Sequence, residues 1–339
     1  MSEKKSYRAG VVGVGAMGRY HVRNYAEMDA VDLVAICDTD TSARERISGA
    51  YKLKTYADHI EMAETERLDV VSVVVPTHLH AQVSCDLLER GVHVLVEKPI
   101  ASTVEQGQGM IEAARKAGTV LMVGHVEHFN PAINEIRKRL ARSELGKVFQ
   151  IHARRLSPFP LRITDVGVIL DLASHDIEVM RHLVDSDVAR VFAEVAQKAH
   201  ALGEDLLSGL LRFENGVIGV LDVNWLTPTK VRQLTILGEN GMYLADYITQ
   251  DVFWYQNSQM MHQASSRDVF RGVWEGDMIK VRVEKREPLR EELDAFLEAV
   301  RGHIPVPVSG EDGLDVLSTA KWLVESGVTH APIEVEHGR

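Results

Sequence analysis

The sequence predicts an α/β protein in two parts: a doubly wound parallel sheet, then an α+β region on a mostly antiparallel sheet. Three observations carry that expectation. From residue 7 to 125, short and almost wholly apolar runs alternate with segments of helical period, as strands buried on both faces of a parallel sheet require. A glycine-rich turn, G-V-G-A-M-G at 13–18, follows the first run. From Val148 onward the runs lengthen and alternate, with Asn215-Gly216 and Asn240-Gly241 as two-residue hairpin signals.

The first run, Ala9–Val12, leads into Gly13, Gly15 and Gly18 in G-x-G-x-x-G spacing. Gly13 permits the tight turn into a helix. Gly15 leaves room for a pyrophosphate to approach the backbone, and Gly18 lets the helix pack close on the strand. With Ala16 and Met17, the turn offers phosphates the free N–H groups and positive end of a helix. A lone motif of this kind is weak. Here a helix bearing Met17, His21, Tyr25 and Met28 follows, and a second run, Leu33–Cys37, ends on Asp38, 20 residues past Gly18. An acid there accepts hydrogen bonds from the adenosine ribose, and Asp38 with Asp40 repels a 2′-phosphate. The expected cofactor is therefore NAD rather than NADP. Arg44 would soften that preference, and is read as an arginine on an exposed helix face.

Val70–Val75, Val92–Val96 and Val120–Val123 complete the parallel set. One helix starts after Thr77 and ends at Gly91; another starts at Ser102, with Glu105 as its capping-box partner, and ends at Gly118. Ligands of such sheets bind beyond the carboxyl ends of the strands. That directs attention to P-T-H-L-H (76–80), E-K-P (97–99) and G-H-V-E-H-F-N-P (124–131). Asn130-Pro131 caps and opens a helix to about Ser143. Val148–Leu156 follows, then an apolar helical segment at 166–184 and seven further strand-like runs between Val188 and Val283. Residues 257–276 show no period and read as a loop; helices near 288–301 and 311–326 close the chain. The domain boundary is set at 126/127, with the last helices able to pack back on the first domain.

The 339 residues are 45% apolar and 26% charged, which fits a globular chain of two domains. A net charge of −11 argues against nucleic acid and anionic membranes as partners. Cys37 and Cys85 form no C-x-x-C and read as buried free thiols, which suits a reducing cytoplasm. No apolar stretch long enough for a leader or a membrane span is seen.

Two stretches carry chemistry. In D-V-G-V-I-L-D-L-A-S-H-D (165–176), Asp171 and His175 lie four apart and share a helix face among apolar neighbours. Such a pair is a buried histidine satisfied by an acid, a metal site or a general base oriented by a carboxylate. The dinucleotide domain beside it favours the base. His125, His128, His175 and Asp171 match no zinc spacing, and no metal is expected. Lys98 follows a buried strand and precedes Pro99. It is either a solvated strand-end lysine or an ammonium placed to stabilise an alkoxide.

G-V-G-A-M-G-R-Y-H, V-P-T-H-L-H, V-E-K-P-I and D-x-G-x-x-x-D-x-x-x-H-D together resemble the Gfo/Idh/MocA oxidoreductases over nearly the whole chain. The resemblance implies a Rossmann domain followed by a large open sheet whose outer face forms dimers or tetramers. It implies Lys98, Asp171 and His175 as catalytic residues. It implies Gly13, Gly15, Gly18, Asp38, Thr77, His80 and Glu97 as cofactor contacts. A narrower likeness, in residues 124–131 and 153–177, is to the UDP-N-acetylglucosamine 3-dehydrogenase branch. Arg154, Arg155 and Arg162 suit a nucleotide diphosphate, though strand arginines paired to surface acids are the plainer reading. Glu127 and Asn130 join the implied substrate contacts. The sequence departs from that branch at His128, where an arginine is expected, and at Ser174, where an apolar residue is. The implied product is a 3-keto sugar nucleotide. It would feed a pyridoxal-phosphate transaminase and a 3-amino sugar for lipid A or another surface glycan. An inositol, free-sugar or UDP-sugar-acid dehydrogenase and a non-catalytic NAD-sensing regulator remain the alternatives.

Overall fold

A computed structural model describes residues 6–160, 166–199, 203–257 and 276–335. The chain forms two compact units, Met1–Val126 with Glu287–Ser318, and Glu127–Arg286 with Thr319–Arg339.

The first unit contains β1 (Tyr7–Val12), α1 (Gly18–Ala26), β2 (Val31–Cys37), α2 (Thr41–Tyr51), β3 (Lys54–Tyr56) and α3 (His59–Glu66). It continues with β4 (Val70–Val73), α4 (Thr77–Leu88), β5 (His93–Glu97), α5 (Val104–Ala117) and β6 (Leu121–Gly124). The six strands are ordered β3-β2-β1-β4-β5-β6 and are all parallel. The order reverses at β1, which opens a crevice at its carboxyl end. Strands β1, β4, β5 and β6 are apolar because helices cover both faces; Val11, Val70, Val71, Val94 and Val96 are wholly buried. β3 was not expected. It is a three-residue edge strand, K-T-Y, too exposed to carry an apolar run. α5 is capped by Thr103, whose side chain accepts from Gln106 N at 3.2 Å, and not by Ser102; Gly118 ends it in the left-handed region as expected. Within this unit α8 (Pro288–Val300) packs on α1.

The second unit begins with α6 (Pro131–Ala141), capped by Asn130, and β7 (Val148–Leu156). A π-helical turn, Ile169–Ala173, runs into α7 (Ser174–Val184). There follow β8 (Val188–Ala196), β9 (Leu206–Phe213), β10 (Ile218–Asn224), β11 (Val231–Gly238), β12 (Gly241–Asp246), β13 (Asp251–Gln256) and β14 (Met278–Val281). α9 (Gly310–Thr329) and β15 (Ile333–Glu334) close the chain. Nine strands form one sheet, β14-β13-β12-β11-β7-β10-β9-β8-β15, antiparallel except where β10 runs parallel to β7. One hairpin turns at Asn215-Gly216, with φ of 88° at Gly216; the other turns at Glu239-Asn240, one residue before the expected pair, because Gly241 already pairs with Gly238 as the first residue of β12. Alternate residues, among them Ile151, Ala153, Leu207, Leu211, Val223, Leu234 and Ile236, are buried on the inner face. The expected loop at 257–276 lies, apart from its end residues, outside the described residues. Among the described residues no helix is long and apolar enough to cross a membrane.

Candidate active site

The turn after β1 separates the roles of its glycines. Gly13 has φ of 88°, and a Cβ there would stand 2.4 Å from the Val74 carbonyl oxygen. A Cβ on Gly18 would stand 2.0 Å from the carbonyl oxygen of Gly13. Both are therefore demanded by the turn itself. Around Gly15 no atom lies within 4 Å of a Cβ position, so the chain does not need a glycine there for its own packing. That open cradle, before the N-terminus of α1, fits a pyrophosphate. Asp38 closes the site. Its carboxylate accepts from Val14 N at 2.8 Å and from Asp40 N at 2.9 Å, which fixes it beside the turn. Arg44 is turned back on this segment: its guanidinium donates to the Asp38 carbonyl, and to Thr41 Oγ1 at 2.9 Å. Ala16 and Met17 occupy the turn, and Thr77 opens α4 beyond β4.

Lys98 follows β5, half-buried, and its peptide bond to Pro99 is cis. Glu97 beside it anchors a buried network. Its Oε1 is 3.0 Å from His21 Nε2, and Oε2 accepts from Lys98 N at 3.3 Å. His21 Nδ1 lies 3.1 Å from Ser72 Oγ, which is 2.9 Å from the Tyr25 hydroxyl. Burial alone would raise the Glu97 carboxyl. The His21 hydrogen bond and charge, then the charges of Lys98 and His80, hold it below its ordinary value. His80, expected as a cofactor contact, is buried, with Nδ1 2.8 Å from the Pro99 carbonyl and Nε2 2.9 Å from that of Val75. Its side chain ties the segment after β5 to the end of β4. Burial lowers its pKa, against those carbonyls and the Glu97 charge.

In the second unit, Asp171 lies in the π-helical turn and His175 in the first turn of α7, both half-buried. The expected helix at 166–184 is thus not uniform. Ser174 Oγ donates to the Leu170 carbonyl at 2.9 Å, occupying an acceptor that the widened turn exposes. Glu204 caps the start: Val168 N donates to its carbonyl at 2.8 Å, and Ile169 N to its Oε1 at 3.1 Å. Single π-turns inside helices recur at functional sites.

The arginines divide. Arg155, expected to grip a diphosphate, is 3% exposed, and its fork is filled by Asp176 at 2.7 and 2.9 Å, with Glu127 Oε1 at 3.2 Å. A guanidinium so engaged holds the sheet to α7 instead of facing a ligand. Burial pushes the Asp176 carboxyl up, against the pull of Arg155. Arg154, next along the strand, points to the other face; it is exposed, 3.5 Å from Asp222. Arg162 lies outside the described residues. Asn130, expected at the substrate, is buried. It accepts from Ala132 N and donates to Glu127 Oε2 and the Tyr247 carbonyl, so its polar capacity is spent on the fold. Sequence reasoning missed the role of His21. Periodicity alone marks it only as one of a helical series, and its place three residues beyond Gly18 is the available signal.

A parallel sheet with a switch-point crevice, a glycine turn open at Gly15 and an acid at the second strand end defines a nicotinamide-dinucleotide-binding enzyme domain. Residues 7–125 match the family model described as "Oxidoreductase family, NAD-binding Rossmann fold", and 133–244 match the GFO/IDH/MocA C-terminal domain. The chain belongs to the Gfo/Idh/MocA family of NAD-dependent oxidoreductases. It is 27% identical to the UDP-N-acetylglucosamine 3-dehydrogenase of Acidithiobacillus ferrooxidans, over 92% of this chain and 95% of that one. It is 28% identical to the myo-inositol 2-dehydrogenase of Thermotoga maritima, over 90% and 92%. The solved structure of the Acidithiobacillus enzyme, GnnA, matches with a TM-score of 0.82 at 26% identity, covering 95% of this chain and 97% of that one. The WlbA dehydrogenase of Bordetella pertussis, solved with NADH and UDP-GlcNAcA, shares the fold at a TM-score of 0.81 and 22% identity, covering 98% and 100%.

Proposed function

We propose that this enzyme oxidises the 3-hydroxyl of UDP-N-acetylglucosamine to a ketone. The observation that carries the reading is the likeness to the Acidithiobacillus enzyme over 92% of this chain, beside the presence of Lys98, Asp171 and His175 in the sequence motifs. NAD, when bound, accepts the hydride from the sugar carbon. In this reading His175 takes the hydroxyl proton, oriented by Asp171 on the same helical segment, and Lys98 stabilises the developing alkoxide. Gly15 and the α1 N-terminus hold the pyrophosphate, and Asp38 holds the ribose. Arg162 is left as the diphosphate fork, since Arg155 is consumed by Asp176 and Arg154 lies on the outer face of the sheet, away from α7. The 3-keto product carries the carbonyl that a transaminase requires.

Two chains meeting at the sheet complete the proposal. Across its outer face the register aligns Phe192, Leu210, Val220, His152, Thr235, Leu244 and Phe253 in one row. Leu210 is 47% exposed, and Leu237 nearby 42%. A row apolar at five of its seven positions supports self-association.

The engagement of Arg155 favours a second reading, a dehydrogenase of a neutral polyol or inositol. A substrate panel with NAD separates the two. Reduction of NAD with UDP-N-acetylglucosamine but not with N-acetylglucosamine or myo-inositol is expected. Turnover of free polyols without the nucleotide would replace the first reading with the second.

A further inference from the structure

The helix that carries His175 also carries a group of side chains that no step above uses. Glu178 and His182 are four residues apart on α7 and project from one helix face. His128 joins them from the 3₁₀ turn Val126–Phe129. One ligand atom from each of the three lies within 4.8 Å of the others. His128 Nδ1 is 2.6 Å from Glu178 Oε1, and the two imidazole rings pack with centroids 3.9 Å apart at 45°. His128 and Glu178 are 8% and 5% exposed. A buried ion pair would explain one ring nitrogen and one carboxylate oxygen. It leaves Glu178 Oε2 and His182 Nε2, both buried and both without a hydrogen-bond partner. Buried polar atoms in that state call for a further group.

We propose that His128, Glu178 and His182 form a structural zinc site that pins α7 to the turn preceding α6. Two imidazoles and a carboxylate are a borderline nitrogen and oxygen set suited to Zn²⁺, and helical i, i+4 ligand spacing is a recurrent zinc-binding geometry. Ligand atoms around tetrahedral zinc sit about 3.4 Å apart, so modest side-chain rotation closes the present span. Metal binding takes the place of the hydrogen bond between His128 Nδ1 and Glu178 Oε1, and a water completes the four ligands. His128 stands where an arginine was expected, and an arginine could not serve as this ligand. The site is independent of the substrate reading above.

The test is a titration of the chelator-stripped full-length protein with Zn²⁺ alone and with Co²⁺ alone. One equivalent per chain is expected, with the visible absorption of tetrahedral Co²⁺ and its displacement by Zn²⁺. His182→Phe, which keeps the space filled, and Glu178→Gln should each weaken binding by about 100-fold or more. His330→Ala, at an exposed histidine 3.5 Å from Glu194, should leave it unchanged. Absence of stoichiometric uptake by the unaltered protein overturns the proposal, whatever the variants do. So does equal affinity in folded His182→Phe and Glu178→Gln.

Discussion

His21 Nε2 lies 3.0 Å from Glu97 Oε1, although 76 residues separate them. The pair joins the helix after the glycine turn to the residue before Lys98, so the cofactor cradle and the candidate lysine share one buried support. His21→Ala should cost about 1–3 kcal/mol, because Glu97 and Ser72 lose a partner in a dry site. Glu97 is held below its ordinary value on folding. A carboxyl lowered in this way stabilises the folded chain above its unfolded pKa of about 4.3, and that contribution is lost as pH falls through the folded value. Removing His21 lets the folded value rise. Denaturation midpoints across acid pH should therefore show the variant losing stability at higher pH than the parent. Superimposable acid limbs would deny His21 this part.

The three glycines of the turn should separate by measurement. Gly13→Ala and Gly18→Ala each drive a Cβ into backbone, at 2.4 and 2.0 Å, and should unfold the protein or lower its stability by more than about 2 kcal/mol. Gly15→Ala meets open space. Its stability should change by less than about 0.5 kcal/mol, while NADH affinity falls about tenfold or more, since a methyl group takes the pyrophosphate's place. Thermal melts with NADH titrations check both halves. Unchanged NADH binding in Gly15→Ala would remove the cradle from this turn.

Lys98→Ala and His175→Ala should each lower turnover by at least about 100-fold, the usual share of a positioned acid or base. NADH binding should hold within a few-fold in both. Near-normal turnover in either variant would withdraw that residue from the chemistry.

Neighbouring arginines on β7 should part company. Arg155→Ala leaves the Asp176 carboxylate buried and alone, and should cost about 3–5 kcal/mol. Arg154→Ala breaks an exposed pair on the outer face of the sheet and should cost less than about 1 kcal/mol, with KM for the UDP-sugar and kcat both kept. A KM that rises in Arg154→Ala would bring the outer face of the sheet into substrate binding.

Cys37 should resist alkylation. Burial, then the charges of Asp58 and Asp38, push its thiol up to about 12, which leaves about one part in 10⁴ as thiolate at pH 8. Iodoacetamide at pH 8 should modify Cys37 in unfolded protein and spare it in folded protein, read by peptide mass mapping. Rapid labelling of the native chain would show that this strand end opens.

Much of this protein was legible in its residue order. The β1 run, the glycine turn and Asp38 could be read because each obeys a short-range rule: burial on both faces of a strand, positive φ, and free N–H groups at a helix start. Asn130 as a cap and Asn215-Gly216 as a turn were legible for the same reason. The short strand β3 was not, because an edge strand with exposed side chains has no apolar signature. The π-helical turn was not either, since Glu204, far along the chain, supports its start.

Sequence by itself therefore determined most of the elements, the dinucleotide domain and the chemical types present at its strand ends. Only the tertiary structure decided what each polar side chain is for. Arg155 and Arg154 are identical and adjacent, yet one is enclosed with Asp176 and the other faces water. Backbone preference acts over a few residues, whereas desolvation and charge pairing depend on whichever groups the folded chain brings alongside.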